Sequence, residues 1–367
     1  MSFILWYTTS VAIQFQLDTA TITVTQPKVL EKLYVEITAG CNLSCDMCFR
    51  NSFEEELAPM NDATVDRLIE QIGMLSGLKQ LMVAGIGEPF THPRLLDVVA
   101  AAKLAGAEVW IQSNGTLLSS QMLRRVTLAG VDVLVVSYED WPSGHPTHGA
   151  VFRVAERLRA LKAEMPDHRV PRLAMETILT TENIETVAEV AQRALDAGIW
   201  EIVLTNMLPT EDRFIPETLA LSGNDGMLAD FLRVVEHRMQ YRIPKFQLNT
   251  ERHCDFIEKS ATVVRFDGEV SPCYRFLHTG YEAGPESSQV VLHHSFGSIR
   301  ESTLNEIWHS PAYEAFRFKV RNWMFPSCPD CHFREGCSFL DDTSADCWTN
   351  SPSCANCLWG RQIYLCP

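Results

Sequence analysis

The sequence contains no apolar run long enough to cross a lipid bilayer, and no Lys or Arg precedes the apolar start at residues 1–7. A membrane-spanning helix needs about 20 consecutive apolar residues, and a secretory signal peptide begins with a positively charged segment. Both features are missing here. The sequence therefore predicts a cytoplasmic protein with no membrane partner.

Positive charge is also scarce, since 31 Lys and Arg residues stand against 46 Asp and Glu residues, for a formal net charge of −15. A nucleic-acid-binding surface needs clustered basic residues, so we expect no nucleic-acid partner. The chain has no low-complexity segment. Its 367 residues, 46% of them hydrophobic, are enough for a sizeable core and two domains.

Cysteine is abundant and unevenly placed. Three of the twelve cysteines lie at 41–48 and nine lie between positions 254 and 366. A secreted disulfide-rich protein is one explanation for such a count. The missing signal peptide favours a reducing cytoplasm instead, where clustered cysteines bind metals.

The first three cysteines, Cys41, Cys45 and Cys48, have a C-x3-C-x2-C spacing directly after an alternating apolar stretch at 33–38 that predicts a strand. A loop at the end of a strand allows three thiolates to converge on one side. An iron–sulfur cubane has four ligand positions, so three cysteines leave one iron open for a small molecule. A zinc site short of one ligand and a structural group of thiols are the alternatives.

From residue 33 onward, strand and helix patterns alternate six times, which predicts a parallel sheet with right-handed crossovers. Six repeats are fewer than the eight units of a closed barrel. Alternation before residue 30 predicts an N-terminal hairpin extension over 1–30 that covers an edge or binds a partner, and a domain break is expected near 241–250. The predicted strands are 33–38, 80–84, 108–112, 132–136, 173–179 and 201–205, and the predicted helices are 62–76, 94–105, 119–129, 150–164, 184–197 and 225–240.

The three-cysteine stretch resembles the signature of the radical S-adenosylmethionine (SAM) superfamily, in which the open iron binds the amino and carboxylate groups of SAM. This resemblance covers about 33–210 and implies an α/β fold, a partial (β/α)6 TIM-like barrel over 31–240. It implies an enzyme that reductively cleaves SAM to a 5′-deoxyadenosyl radical, which abstracts hydrogen from a substrate. It also implies a low-potential electron donor of the ferredoxin or flavodoxin type.

The resemblance further assigns SAM-binding residues. The stretch 85–89 resembles the Gly-Gly-Glu-Pro motif, although Ile86 stands where a second adjacent glycine is common. Each assigned residue also has an ordinary structural role in a turn or in the core. An isolated acid, Glu176, is expected to face the barrel interior, where a buried charge needs a functional partner. The assigned SAM-binding residues are Met47, Gly85, Gly87, Glu88, Pro89, Ser113, Asn114, Ser137 and Arg153.

The segment 250–366 resembles the SPASM extension, which implies a domain over 241–367 with two auxiliary [4Fe–4S] clusters. A zinc ribbon is the alternative, although it usually needs only four cysteines. The resemblance assigns Cys254, Cys273 and Cys347 to one cluster, and it assigns Cys328, Cys331 and Cys337 to the other. Three late cysteines compete for the remaining places, with Cys357 favoured for the second cluster: Cys354, Cys357 and Cys366.

The tail over 346–359 resembles a narrower group, the radical SAM maturases associated with tungsten-containing aldehyde ferredoxin oxidoreductases, as do 34–38 and 47–51. This implies a substrate that is a tungsten-pterin oxidoreductase or its metal-pterin cofactor. The alternative is a peptide- or protein-modifying SPASM maturase of the ribosomal-peptide or sulfatase-maturase type. A third hypothesis is a non-enzymatic iron–sulfur carrier or scaffold, which would not cleave SAM.

Overall fold

The computed structural model of the protein describes residues 13–16, 19–24, 28–139, 147–284 and 288–365. The predicted ligand Cys366 and the apolar start at 1–7 lie outside these ranges. No helix within them has the length and apolar character needed to cross a bilayer.

Thirteen strands are found in the described residues. The first two, β1 (Ile13–Gln16) and β2 (Thr21–Val24), pair antiparallel as the predicted N-terminal hairpin. The others are β3 (Lys32–Val35), β4 (Gln80–Val83), β5 (Glu108–Ser113), β6 (Val133–Ser137), β7 (Arg172–Leu179), β8 (Glu201–Asn206), β9 (Gln240–Arg242), β10 (Ala261–Val264), β11 (Val270–Ser271), β12 (Gly280–Glu282) and β13 (Gln289–Val291).

Nine α-helices are found in the same ranges, and the first six follow the strands β3 to β8 in turn. They are α1 (Asp62–Met74), α2 (Leu95–Leu104), α3 (Ser120–Ala129), α4 (Ala150–Glu164), α5 (Val187–Ala197), α6 (Ala229–Val235), α7 (Asp255–Glu258), α8 (Leu304–Trp308) and α9 (Pro311–Arg321).

The strands β3 to β8 form one parallel sheet in chain order, as the six repeats predict, and this confirms the α/β partial-barrel fold. Both faces of the sheet are buried, as expected for parallel strands. Leu33 and Val35 pack into the large core shared with the helices, whereas Tyr34 between them faces the other side. There it meets Phe256 of α7 at a ring-centroid distance of 4.8 Å.

Local sequence signals mark several of the helix ends. The Asn61 side chain accepts a hydrogen bond of 2.9 Å from the Thr64 amide at the start of α1. Gly130 ends α3 with a φ of 81°, where a residue without Cβ is favoured. The prediction of a helix over 225–240 is wrong in its second half, because the backbone turns left-handed at His237 (φ 61°) and the chain then forms β9.

The main sheet continues into the C-terminal region. Strand β10 pairs in parallel with β3, and β11 pairs antiparallel with β10, so the nine strands run β11-β10-β3-β4-β5-β6-β7-β8-β9. Leu277 and Phe256 of this region pack against Tyr34 and Val135 on the sheet face opposite the helices. The segment after 241 is therefore a layer built onto the barrel.

Candidate functional site

The loop after β3 carries Cys41, Cys45 and Cys48, and several hydrogen bonds fix its conformation. The Cys48 amide donates to the Cys45 carbonyl at 3.2 Å, and the Arg50 guanidinium donates to the Leu43 carbonyl at 2.7 Å. The side-chain amide of Asn114, which follows β5, lies 3.8 Å from the Cys41 sulfur. The loop thus holds its three thiols in fixed positions at the carboxyl end of the sheet.

The three thiols of this loop lie close together. Burial, together with the neighbouring Cys48 and Cys41 thiols, raises the pKa of Cys45 to about 11. Free thiols at this spacing oppose one another's ionisation, whereas a bound metal stabilises the thiolates and releases their protons. Three thiols from one loop fit a [4Fe–4S] cluster with one open coordination position.

The loop after β4 approaches the cysteine loop so closely that two of its residues must be glycine. A Cβ at Gly87 would lie 2.2 Å from the Thr38 carbonyl oxygen and 2.5 Å from that of Gly40. Gly85 has a φ of 113°, and a Cβ there would lie 2.6 Å from the Glu36 Cγ. The glycines therefore allow two backbone segments to meet beside the cysteine loop.

Glu88 uses both carboxylate oxygens within the protein. Its Oε1 accepts from the Ser113 hydroxyl at 2.9 Å and from the Phe90 amide at 3.1 Å, and its Oε2 accepts from the Asn114 amide at 2.7 Å. Burial raises the pKa of Glu88, while these bonds act to lower it. The carboxylate joins the loops after β4 and β5 and so positions Asn114.

A cavity of about 310 Å³ opens at the carboxyl ends of the strands, next to Cys45 and Cys48. Ligands of parallel α/β folds bind at this end of the sheet. Arg153 lies on α4, does not line the cavity, and donates to the His148 carbonyl at 3.3 Å. The predicted SAM-binding residues that line it are Met47, Gly85, Asn114 and Ser137, and the others that do not line it are Gly87, Glu88, Pro89 and Ser113.

Two acids, Glu139 and Glu176, form part of the cavity wall. Gln112 donates a short hydrogen bond to Glu176, whose interior position agrees with the expectation. Burial raises the pKa of both carboxyls, and the charge of Glu176 raises that of Glu139 further. Both pKa values are therefore displaced upward from the ordinary range of carboxyl groups. Sequence analysis missed Glu139, although an acid directly after an apolar strand is a usable signal.

The C-terminal region closes the cavity on its other side. The Asn206 side-chain amide donates to the Ile363 carbonyl at 2.9 Å, and the Leu365 amide donates to the Thr205 hydroxyl at 3.1 Å. These bonds hold the last described turn against the end of β8. The lining residues from this region include Tyr274, Arg275, His278, Tyr281, Glu282, Trp359, Tyr364 and Leu365.

His278 joins this region to the cysteine loop. Its Nε2 lies 2.9 Å from Glu36 Oε1, its Nδ1 contacts Glu55, and its ring stacks on Phe53 at 4.8 Å between centroids. Burial acts to lower the pKa of His278, but the two carboxylates raise it to about 9. Glu36 precedes the cysteine loop and Glu55 follows it, so the imidazolium clamps both ends of that loop. The three residues are far apart in sequence, so spacing gave no signal for this contact.

Four C-terminal cysteines, which we call the inner set, line a second cavity of about 300 Å³: Cys254, Cys273, Cys354 and Cys357. Burial and the Cys357 thiol raise the pKa of Cys273 to about 12. Burial also raises the pKa of Cys357, and the neighbouring Arg275 guanidinium opposes that rise. Four thiols around a space of this size fit a multi-iron cluster, because the ligands of a single zinc ion would converge on one point.

Four more cysteines form an outer set: Cys328, Cys331, Cys337 and Cys347. Burial and then the thiols of Cys347, Cys337 and Cys331 raise the pKa of Cys328 to about 11. Cys331 and Cys347 are exposed. Within the described residues no disulfide is formed, and no group of three or more His, Cys, Asp or Glu has the geometry of a single-ion site.

This arrangement corrects the expected grouping of the ligands. Cys347 lies with the outer set and not with Cys254 and Cys273, and Cys357 lies with the inner set. The physical reason is local, because the Cys357 amide donates to the Cys354 carbonyl at 3.2 Å. One tight turn therefore presents both thiols to the same cavity.

Comparisons with known proteins bear on the same residues. Residues 35–221 match the Radical SAM superfamily, and residues 254–332 match SPASM, an iron–sulfur cluster-binding domain. The chain is 36% identical over 348 residues to the tungsten-containing aldehyde ferredoxin oxidoreductase cofactor-modifying protein of Pyrococcus furiosus, covering 92% of this chain and 97% of that protein.

Two further similarities are more distant. The chain is 23% identical over 331 residues to the PqqA peptide cyclase of Gluconobacter oxydans, covering 85% of each protein. The crystal structure of Streptococcus suis SuiB bound to S-adenosylmethionine has a TM-score of 0.58 at 14% identity, covering 84% of this chain and 72% of that one. The likeness to SuiB is one of fold.

Proposed function

We propose a function from one premise: this chain belongs to the radical SAM superfamily. It is an enzyme that uses a [4Fe–4S] cluster and S-adenosylmethionine. We propose that it acts in the maturation of a tungsten-pterin oxidoreductase, by modifying the metal-pterin cofactor or its precursor. The observation that carries this proposal is the 36% identity over 97% of a protein named as a cofactor-modifying protein of such an oxidoreductase.

The proposed roles of the residues follow from their positions. Cys41, Cys45 and Cys48 would hold the cluster, and the predicted residues of the cavity lining would contact SAM. When bound, the cluster and SAM supply a carbon radical that abstracts hydrogen from a substrate. The chain itself contributes orientation and the exclusion of water, since Glu88 positions Asn114 and the segment near Ile363 closes the cavity.

The size and polar groups of the cavity bear on the choice of substrate. The same cavity of about 310 Å³ has to take the reacting part of SAM as well as the substrate, which favours a compact substrate. The wall carries two carboxyls, Glu139 and Glu176, whose pKa burial raises, and His278, whose pKa the carboxylates of Glu36 and Glu55 raise. A heterocyclic substrate with several hydrogen-bonding groups suits such a wall.

We further propose that the inner and outer sets each bind an auxiliary [4Fe–4S] cluster, and that a donor of the ferredoxin or flavodoxin type supplies low-potential electrons. In this proposal residues 31–240 form the barrel and 241–367 the auxiliary domain. Two complete sets of four thiols support two clusters, since a cubane takes four ligands. The rival is zinc in the C-terminal region.

A second candidate is modification of a peptide or protein side chain. The 23% identity to a PqqA peptide cyclase over 85% of this chain favours it. A peptide would have to enter past the segment that closes the cavity near Ile363 and Leu365. The two candidates therefore differ in whether that segment must move.

Product analysis distinguishes the candidates. The anaerobically reconstituted protein is reduced with dithionite and supplied with SAM and either a metal-pterin cofactor or a candidate peptide. We expect 5′-deoxyadenosine in excess over the substrate-free rate, and a changed mass, only with the pterin. A Cys41→Ala/Cys45→Ala/Cys48→Ala variant is the control and should form none. Wild-type rates in that variant, or product formation with the peptide alone, would contradict the proposal.

A further inference from the structure

Arg275 occupies the wall between the two cavities. It lines the substrate cavity beside Glu282 and also lines the inner cavity beside Cys273 and Cys357. Only 2% of its side-chain surface is exposed. A guanidinium in this position has no bulk water to bond, so each of its N–H groups needs a partner within one of the two cavities or in the protein.

Only some of the N–H groups of the Arg275 guanidinium have a hydrogen-bond partner. Nη2 donates to Glu282 at 2.9 Å and to Gln289 Oε1 at 2.8 Å, and Nε donates to Glu282 at 3.2 Å. Nη1 is buried and has no hydrogen-bond partner among the described residues. An unsatisfied buried donor destabilises the fold, and a charged one does so more strongly.

The missing partner fits the inner cavity. Glu282 and Gln289 already accept the hydrogen bonds of the Nε and Nη2 groups of the guanidinium. The thiols of Cys354 and Cys357 are close enough to interact electrostatically with the same guanidinium. A cluster held by four thiolates carries negative charge on its sulfur atoms. Such sulfur atoms accept hydrogen bonds, and these bonds are one of the factors that set the reduction potential of a cluster.

We propose that Arg275 donates from Nη1 to a sulfur atom of the cluster at the inner set and so raises the reduction potential of that cluster. The proposal rests on the auxiliary clusters proposed above. A positive charge and a hydrogen bond both favour the reduced form, which is more negative than the oxidised form by one charge. Arg275 acts on the cluster directly, from the wall that the inner cavity shares with the substrate cavity.

Redox titration of the full chain followed by electron paramagnetic resonance tests the inference. The Cys41→Ala/Cys45→Ala/Cys48→Ala background removes the signal of the first cluster and leaves two titration steps, one from each auxiliary cluster. Arg275→Met in this background is expected to move one step to a more negative potential and to leave the other in place. The unmoved step is an internal control.

Arg361→Met is the matched control. Arg361 lines the same inner cavity, but its guanidinium is bonded to the Asn249 carbonyl, to Ser327 and to Asp330. Its loss removes the same charge without removing a donor that is free to bond the cluster. We expect a smaller shift than for Arg275→Met.

Two unmoved steps in Arg275→Met that still binds its iron would overturn the inference. If that variant does not load iron, Arg275→Gln decides, because its amide ends at the position of the Arg275 Nε, so it removes both the charge and the Nη1 donor and can keep a contact with Glu282. A more negative step supports the proposal, and an unchanged one overturns it. Metal analysis of the wild-type chain tests the underlying premise separately, because stoichiometric zinc at the inner set would refute the cluster itself whatever the potentials are.

Discussion

The inner and outer sets hold four thiols each, yet their surroundings differ. In the inner set, Cys254 and Cys273 pack against an apolar cluster on the sheet face, and Cys254 and Cys354 pack against another around Val320. The outer set borders a small cluster around Leu340, and its Cys331 and Cys347 are exposed. Four cysteine thiols therefore lie in a buried environment in one set and in a partly exposed one in the other. Cysteine spacing alone does not reveal this difference.

Aromatic residues near the outer set are also exposed to solvent, unlike the surroundings of the inner set. Phe333 and Trp348, each close in sequence to an outer-set cysteine, are 85% and 58% exposed. The inner set shares a wall with the substrate cavity through Arg275 and Trp359. Solvent exposure and local hydrogen bonds tune cluster potentials, so we expect the two sets to differ in stability, accessibility and potential.

The largest effect is expected when a ligand is removed from each set in turn. Cys254→Ala and Cys347→Ala should each lose about four irons per chain. We expect Cys254→Ala to lower thermal stability by several kcal/mol more, because its thiol lies between two parts of the core and metal-linked folding energy is lost there. Iron analysis and anaerobic thermal unfolding measure both quantities. Equal loss of stability in the two variants would remove the proposed difference between the sets.

Iron release to a chelator should separate the sets by rate. Iron at the outer set is expected to leave at least about tenfold faster, because release at an exposed site needs less local opening. The measurement uses the Cys41→Ala/Cys45→Ala/Cys48→Ala background, so that iron at the first loop adds no phase. The absorbance of the iron–chelator complex is expected to rise in two phases, with the fast phase missing when Cys347→Ala is added. A single phase in that background would show that the two sets are equally accessible.

The pH dependence of stability tests the contact by which His278 joins the C-terminal region to the cysteine loop. His278 has a pKa of about 9 in the folded chain against an ordinary value of 6.5, so its contribution to stability is complete below pH 6.5 and is lost as pH rises towards and through 9. The loss amounts to about 3 kcal/mol, since one pKa unit corresponds to about 1.4 kcal/mol.

His278→Gln should therefore be less stable than the wild-type protein at pH 6 and should lack this decline between pH 6.5 and 9. Anaerobic unfolding in denaturant across that range provides the measurement. An exposed histidine, His237→Gln, is the control and should keep the decline. A wild-type profile that is flat over the same range would rule out the charged clamp.

The smallest effect is expected for a substitution near the predicted SAM site, away from both cysteine sets. Glu88→Gln replaces a carboxylate acceptor that binds Ser113 and the Asn114 amide, so we expect SAM to bind roughly tenfold more weakly, in keeping with about 1–3 kcal/mol for a disturbed buried acceptor. Isothermal titration with SAM measures the affinity. The iron content of both auxiliary sets should not change, and Glu306→Gln, on an exposed helix cap, should bind SAM normally.

The sequence predicted the repeating part of the fold well, because each strand and helix between 33 and 205 carries its own periodicity and stop signals. It did not predict that β10 would pair with β3, since no local pattern reports a partner more than 220 positions away. The last helix of the barrel was predicted too long for a similar reason. The backbone turns left-handed at His237, and no Gly, Pro or Asn between 229 and 240 signals that turn.

In the candidate site, too, local features were predicted from the sequence and contacts between distant residues were not. Cysteine spacing predicted that the three thiols of the first loop converge, and they are neighbours in the structure. The glycines at 85 and 87 are explained by close backbone contacts. Spacing could not assign Cys347 and Cys357 to their sets, because each set is assembled from segments that only folding brings together. The contact of His278 with Glu36 joins positions 242 residues apart, so it was visible only in the structure.

The composition of the inner set also has a consequence for biosynthesis. Cys273 leaves the ribosome 81 residues before Cys354, an interval of roughly 4 to 16 seconds at synthesis rates of about 5 to 20 residues per second. During that interval the barrel strands have been made, but the inner set has only two of its four thiols. At the cluster proposed for this set, iron delivery is therefore expected to be a late event, since a nascent chain stalled before Cys354 has only two of the four thiols.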